Sequence, residues 1–176
     1  DKYLGADFAA YDMLRVPRYL SRRMYKERIP SDCMRAWAIG EFPPTEESGN
    51  TLISKMIYEG KLLYFTKEMM PDGADTILFG FTKEQIQWCE NNEKNMWASL
   101  IEQKLLFSTD HRSITKLTEE APYTSQFTTE SPGRACNWVG YKIVERYMNR
   151  HDDIDLPQLM EDKNHQKIFE RAKYKP

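Results

Sequence analysis

The stretch TLISKMIYEGKLLYFTKEMMPD, residues 51–72, is the part of the chain from which the rest can be interpreted. Its large apolar side chains recur at the spacing of one face of an α-helix. These positions are Leu52, Ile53, Met56, Ile57, Leu63 and Tyr64. Asn50 or Thr51 can cap the start of such a helix, and Pro71 can end it. The pattern therefore predicts a long central helix that buries one stripe of side chains.

Glu59 lies at the edge of this stripe, between Met56 and Leu63. At that spacing its carboxylate flanks the core instead of pointing to water. Gly60 follows it, although Ala would favour the helix by roughly 1 kcal/mol. A carboxylate beside a core needs a cation, a metal ion or a proton. The cations to consider are Arg35, Arg134 and Lys142. An ordinary ion pair at the core edge and a functional site remain competing interpretations.

The composition is that of a globular protein and favours neither a disordered nor a membrane-embedded chain. The 176 residues are 40% apolar and 30% charged, and the net charge is −2. This length predicts a single domain spanning residues 1–176. A nearly neutral chain gives no reason to expect nucleic acid as a partner. No apolar run approaches the ~20 residues that span a bilayer. Because the chain begins with Asp1, we expect a processed form or a fragment.

Most of the remaining sequence also has helical patterns, so the predicted fold class is mainly α. A helix is predicted after Ser31 as N-cap, another from the capping box Thr82–Gln85, and another after Ser131 and Pro132. Asp155 predicts the start of a short helix, and a second short helix is expected over residues 164–173. Strand character is confined to the first residues and to Thr76–Phe79.

A basic segment extends from Arg15 to Arg28, with six basic residues and one acid. Its thin apolar seam favours a solvated basic helix. A phosphate or nucleic-acid contact is the alternative, and the near-neutral charge of the whole chain argues against it.

The sequence contains no recognisable catalytic motif: HExxH, GxSxG, P-loop and GxGxxG patterns are all missing. The three histidines, His111, His151 and His165, are in polar contexts and are predicted to be exposed. Three widely spaced cysteines without zinc-ligand spacing predict buried free thiols, with one disulfide as the alternative in an oxidising compartment. We therefore predict no metal, no cofactor and no catalytic residue.

Large aromatic residues next to small ones mark a candidate cleft around Glu59. Gly133 and Gly140, seven residues apart, are expected to share a helix face and to admit a neighbouring helix. Core packing is the alternative for the aromatic residues. The candidate cleft consists of Arg35, Trp37, Glu59, Tyr64, Trp138 and Tyr141.

Six segments of the chain together carry a family resemblance: DKYLG, IPSDCMRAWA, TLISKMIYEGKLLYF, GFTKEQIQWCENNEKNMWASLIEQKLLFSTD, ESPGRACNWVGYKIVERYM and KYKP. Taken together and in this order, they resemble the gliding-motility lipoprotein B (GldB-like) family of Bacteroidetes. Members carry a signal peptide and a lipid-modified cysteine further upstream. The resemblance implies the C-terminal part of a larger protein of the cell envelope, held to a membrane only by a lipid anchor upstream.

This family is in turn similar to predicted zinc peptidases of the zincin type. In those, a helix with HExxH precedes a helix with an EG pair whose Glu binds zinc. Glu59 and Gly60 match the second helix, while the preceding helix reads MRAWAIGEF and offers neither histidine. The resemblance implies the helical part of a zincin-like α+β domain, with Glu59 as a vestigial ligand.

The favoured hypothesis is a non-catalytic, zincin-like envelope lipoprotein that binds another envelope protein or a peptide. The first alternative is a metal-dependent peptidase-like hydrolase with an unrecognised site built from Glu59, Glu41 and a histidine. A cytoplasmic helical adaptor is the second.

Overall fold

The computed structural model describes residues 4–176, and this part of the chain contains helices and no strand. The prediction of a mainly α protein is therefore confirmed. Two short 3-10 helices cover Lys26–Arg28 and Glu46–Ser48. The α-helices are α1 (Ala9–Met13), α2 (Arg18–Ser21), α3 (Ile29–Glu41), α4 (Leu52–Met69), α5 (Asp75–Phe79), α6 (Lys83–Glu102), α7 (His111–Thr118), α8 (Ala135–Met148), α9 (Leu156–Glu161) and α10 (His165–Ala172).

Helix α4 is the centre of the fold. The Thr51 hydroxyl accepts a hydrogen bond from the Ser54 backbone N–H at 3.3 Å, as the sequence predicts for an N-cap. Thirteen of its 18 residues are buried, because α3, α5, α7, α8, α9 and α10 all contact it. A helix that is covered on almost every side lies in the interior. The single apolar stripe thus predicted the helix but understated its burial.

Helices α4 and α8 cross at two glycines. A Cβ atom on Gly140 would lie well under 3.0 Å from the Met56 carbonyl, and one on Gly60 equally close to the backbone of Gly140. Only glycine permits this approach. The expected pairing of Gly133 with Gly140 on one helix face is wrong, since Gly133 precedes α8 and packs against the Ala121 backbone.

Of the two segments predicted as extended, one is helical and the other is helical in its later part. Thr76–Phe79 belongs to α5, which Gly80 ends in the left-handed conformation at φ +64°. Near the N-terminus, Ala9–Met13 forms α1, and residues 1–3 of the expected strand lie outside the described residues. The strand prediction for Thr76–Phe79 rested on β-branched and aromatic residues, and tertiary contacts override such weak preferences.

Two of the five predicted N-caps are wrong. Helix α3 begins at Ile29, so Ser31 lies inside its first turn, and α8 begins at Ala135, three residues after Pro132. The Ser131 hydroxyl instead accepts from the Thr124 backbone N–H at 3.1 Å. Thr82 and Asp155 do cap α6 and α9, each in a capping box.

The basic segment is not a solvated helix. It divides into α2, a turn and the 3-10 helix Lys26–Arg28, and it brings Arg23 and Arg28 into the protein. The Arg28 side chain is 4% exposed and that of Arg23 is 18% exposed. Both guanidinium groups pack against Gly80. Arg28 pairs with Asp32, four residues further on, whereas Arg23 pairs with Glu120 of a distant segment, which no local pattern reveals.

Candidate functional site

Glu59 lies in α4 with its side chain only 7% exposed, and both carboxylate oxygens are occupied. Arg35 of α3 donates from Nη2 to Oε2 at 2.5 Å, and Lys55, one turn earlier in α4, lies 3.1 Å from Oε1. Of the three cations considered from the sequence, Arg35 is the partner. Arg134 and Lys142 pair with Glu120 and Glu145 instead.

These cations decide the charge state of Glu59. Burial by itself would raise the pKa of this carboxyl, but Arg35 and Lys55 outweigh it and hold the pKa below its ordinary value of 4.5. Glu59 is therefore ionised at neutral pH. A carboxylate held by two cations is a structural anchor between α3 and α4.

A second charged cluster links the basic segment to α5 and α8. Arg28 donates to the Ile77 carbonyl at 2.6 Å and Arg134 donates to the Phe79 carbonyl at 2.5 Å, so both bind the last turn of α5. Glu120 pairs with Arg134 at 2.9 Å and also with Arg23. Burial, aided by the neighbouring arginines, lowers the pKa of Arg23 to about 9 and that of Arg134 to about 10. This cluster satisfies carbonyl groups at the C-terminal end of α5.

The six residues of the predicted cleft occupy four separate places. Arg35 and Glu59 form the ion pair. The rings of Tyr64 and Tyr141 lie 6.4 Å apart between α4 and α8. Trp37 of α3 is 53% exposed and stacks on Phe65 of α4, with 5.5 Å between ring centroids. The sixth residue, Trp138 of α8, is 3% exposed.

An open cleft lies on another face of α4, and none of those six residues lines it. It has a volume of about 250 Å³ and runs between the first half of α4, the loop before it, α7 and the start of α10. We call it the α4–α7 cleft. Its lining residues are Pro44, Ser48, Gly49, Asn50, Thr51, Ser54, Lys55, Tyr58, His111, Ile114, Thr115, Glu119 and His165.

Lys55 connects this cleft to Glu59. Its Nζ lies 3.1 Å from Glu59 and 3.7 Å from Glu119, so one ammonium group is shared between a buried acid and an exposed one. The charged rim of the cleft is thus one lysine with its acidic partners. The floor is uncharged.

Tyr58 and His165 form that floor. Tyr58 is 9% exposed and His165 is 2% exposed, and their ring centroids lie 6.2 Å apart. The Tyr58 hydroxyl and His165 Nδ1 are buried without a hydrogen-bond partner. Burial and the nearby Lys61 lower the pKa of His165 to about 4, against a hydrogen bond with the Ser54 backbone that favours the charged form. The imidazole is therefore neutral at neutral pH.

The prediction that all histidines are exposed is wrong for His165, which is buried, and for His151, which is half-buried. The prediction of buried thiols is wrong for Cys33, which is exposed. Cys89 and Cys136 are buried and all three thiols are free. Within residues 4–176 no three His, Cys, Asp or Glu side chains are grouped as metal ligands would be. Glu41 lies exposed at the end of α3.

Sequence reasoning missed the α4–α7 cleft, although one signal was available. Thr51, Ser54 and Tyr58 are polar residues at helical spacing beside the apolar stripe of α4. They mark a second face of the same helix. The loop, α7 and His165, which close the cleft, come from distant parts of the chain, and no local pattern connects them.

Fold and site together define an all-helical protein with a buried ion pair at its centre and a small cleft with an uncharged floor beside it. The family model for the gliding motility protein GldB matches residues 1–176, and the chain belongs to this family of gliding-motility-related lipoproteins. No match was found among curated proteins or among solved structures. None of the helices in the described part of the chain has both the length and the hydropathy needed to cross a bilayer.

Proposed function

We propose that this protein is a non-catalytic binding protein of the cell envelope, which holds an extended segment of another envelope protein in the α4–α7 cleft. The observation that carries the proposal is that the Glu59 carboxylate is already paired with two cations. The zincin resemblance assigns this residue to metal binding, yet here both of its oxygens are occupied by Arg35 and Lys55. Two cations take the position that a metal ion would need.

The dimensions and lining of the cleft support a segment of peptide as the ligand. Small-molecule pockets usually measure ~300–1,000 Å³, and this cleft, at about 250 Å³, lies just below that range. It is large enough for a side chain and adjoining backbone. Its wall surface is mostly apolar and also carries hydroxyl and amide groups from Asn50, Thr51, Ser54 and Thr115, a combination that suits a ligand held by apolar contact and a few hydrogen bonds.

The family supports a location at the cell envelope. The family resemblance implies a lipid anchor upstream of these residues. A partner in gliding or secretion would then reach the cleft on the same membrane surface.

The test selects peptides from a random library on the purified full chain and measures their affinity by fluorescence titration. Thr115 lies on the exposed rim of the cleft, so Thr115→Trp should block entry and weaken binding about tenfold or more. Lys116→Trp, at the next position of α7 and outside the cleft, is the matched control and should leave affinity unchanged. If no peptide binds, or if Thr115→Trp has no effect, the proposal fails.

The hydrolase alternative makes a different prediction for the same peptides. A peptidase would cleave them, in a manner that depends on added zinc and on Glu59. We expect the peptides to remain intact by mass spectrometry after prolonged incubation with the protein and zinc. Cleavage that Glu59→Gln abolishes would establish the alternative.

A further inference from the structure

We propose that the outer face of α3 is a membrane-docking surface, whose apolar side chains enter the headgroup region of a phospholipid bilayer. This face is formed by Ile29, Cys33, Ala36 and Gly40. It is separate from the α4–α7 cleft, which is lined by residues between 44 and 58, residues between 111 and 119, and His165. Docking through α3 is therefore independent of the proposed function.

Polar and apolar residues are distributed in α3 in the reverse of the usual order. A surface helix ordinarily buries an apolar stripe and shows charged side chains to water. Helix α6 follows this rule, since every exposed side chain between Lys83 and Asn95 carries a charge or an amide. In α3 the two buried residues are Ser31 and Ala38. Ile29 and Trp37 are instead 50% and 53% exposed, so the fold leaves large apolar side chains of α3 in water.

The exposed apolar residues form one continuous face. The four residues that define it are three or four positions apart and therefore lie along one side of the helix. At 100° per residue, this side points away from the buried Ser31 and Ala38. Trp37 and Ile39, which is 41% exposed, flank the face on its two sides. The centre of the face is thus made of small and aliphatic residues, with larger apolar groups at its edges.

The charged residues of α3 lie at the edges of this face or beneath it. Asp32 pairs with Arg28 at 2.6 Å. Arg35 binds Glu59 inside the protein, and Glu41 is the last residue of the helix. Contact with an apolar environment along the outer face would therefore bury little charge.

The size of the outer face favours a bilayer over a protein partner. A helix of 13 residues is about 20 Å long and about 10 Å wide, so one side offers about 200 Å². Stable protein complexes bury about 800 Å² on each partner. The chain belongs to a family of gliding-motility-related lipoproteins. A protein that a lipid anchor holds at a membrane needs only a weak additional contact to dock there.

The residue types also suit the headgroup region. Tryptophan favours this depth, because its ring is apolar and its N–H is polar. Helices that lie in the plane of the membrane interface insert an apolar side by a few ångströms. Because apolar contact supplies the binding, we expect little dependence on salt. Attraction of the basic segment, residues 15–28, to anionic lipids would instead be screened by salt.

The test measures how fast the Cys33 thiol reacts with a water-soluble maleimide when the 176-residue chain is mixed with phosphatidylcholine vesicles at millimolar lipid. Cys33 lies within the outer face, whereas Cys89 and Cys136 are buried, so the reaction reports on Cys33. Vesicles should slow the reaction about tenfold or more, because a thiol in apolar surroundings keeps its proton and reacts poorly. Flotation of the protein with the vesicles measures binding independently.

Two matched variants locate the contact. Ile29→Glu places a carboxylate on the outer face and should weaken vesicle binding about tenfold or more, because apolar contact is lost and a charge resists burial. Ile101→Glu in α6 is the control, since Ile101 is 51% exposed and Ile29 is 50% exposed. It removes the same side chain and adds the same charge, and it should leave binding unchanged.

The proposal fails if the chain does not bind vesicles or if they leave Cys33 as reactive as before. Binding that high salt abolishes, or that Ile29→Glu leaves unchanged, would assign the contact to the basic segment and overturn the role of α3. Protection of Cys33 that rises with protein concentration without vesicles would show that a second copy covers α3. A chain that binds peptides in the α4–α7 cleft but ignores vesicles retains the proposed function and loses only the docking surface.

Discussion

At the residue scale, the contacts of Glu59 explain how an acid is tolerated in the core. Removing a carboxylate from water costs several kcal/mol, and the cost is offset only when its oxygens are bound by cations or donors. Arg35 and Lys55 bind one oxygen each. The Arg35 side chain is 26% exposed, so the pair keeps partial access to water.

Glu59→Gln should destabilise the protein by about 3 kcal/mol. This is the low end of the range for breaking a buried ion pair, because Arg35 and Lys55 remain partly solvated. Urea denaturation monitored by circular dichroism measures the change. Glu119→Gln removes the exposed partner of Lys55 at 3.7 Å and should cost less than about 0.5 kcal/mol. Equal losses in the two variants would contradict the anchoring role of Glu59.

The lowered pKa of Glu59 also predicts a pH dependence. Its ionised form is favoured in the folded state, so its contribution to stability is present above the unfolded pKa and is lost as the pH falls through the lower folded value. The free energy of unfolding should fall as the pH drops below about 4.5, the ordinary value of the group. In Glu59→Gln this part of the decline should be missing.

The low pKa of His165 predicts a second loss of stability, at a higher pH than the loss caused by Glu59. Its folded pKa of about 4 lies below the ordinary 6.5, so the unfolded chain binds more protons between these values. Stability should therefore fall by up to about 3 kcal/mol as the pH drops from 6.5 to 4. His165→Gln should flatten this interval in pH-dependent denaturation curves, whereas His111→Gln, which replaces an exposed side chain, should not. A slope that survives His165→Gln would show that another group causes it.

At the scale of helices, the crossing of α4 and α8 depends on two glycines. Gly140→Ala places a methyl group against the Met56 backbone, which cannot move without shifting α4. Overpacking of this kind costs typically 1–3 kcal/mol or more and exceeds the gain of up to about 1 kcal/mol in helix propensity. We expect a net loss of stability of at least about 1 kcal/mol, measured by urea denaturation.

The control for this prediction is Gly40→Ala in α3. No atom lies within 4 Å of a Cβ atom at Gly40, and the residue is exposed. The gain in helix propensity then acts alone and should raise stability by a few tenths of a kcal/mol. If Gly140→Ala did not lower the free energy of unfolding either, the result would contradict the close approach of α4 and α8.

Helix α5 shows why local preference failed. Thr76, Ile77 and Phe79 favour a strand by residue type. Arg28 and Arg134 bind carbonyl oxygens of this helix, and both arginines come from distant segments. These contacts exist only after the chain has folded. No propensity scale applied to residues 75–79 contains them.

At the scale of the whole molecule, burial is concentrated on α4 and α8. Both helices are buried along most of their length, whereas α1 has no buried residue and α2 has one. Stability is not uniform in such a structure, because poorly buried segments open without global unfolding.

Native-state hydrogen exchange should therefore show two classes of amides. Amides in the middle of α4 and α8 should exchange only through global unfolding, with the free energy that denaturation measures. Those of α1 and α2 should exchange much faster through local opening. Slower exchange in α1 or α2 than in α4 would contradict this arrangement.

The sequence by itself determined the central helix with its cap at Asn50 or Thr51, the capping box at Thr82, the helix start at Asp155, and the mainly α class. These features depend on neighbours within one or two turns, which a local pattern records. It also indicated that Glu59 lies against the core and included Arg35 among its possible partners. The tertiary structure alone decided that Arg35 binds Glu59, that Arg28 is buried and Arg23 half-buried, and that His165 closes a cleft with Tyr58. These outcomes depend on groups far apart in the chain, since the burial and pairing of a charge are decided by whatever folding brings against it.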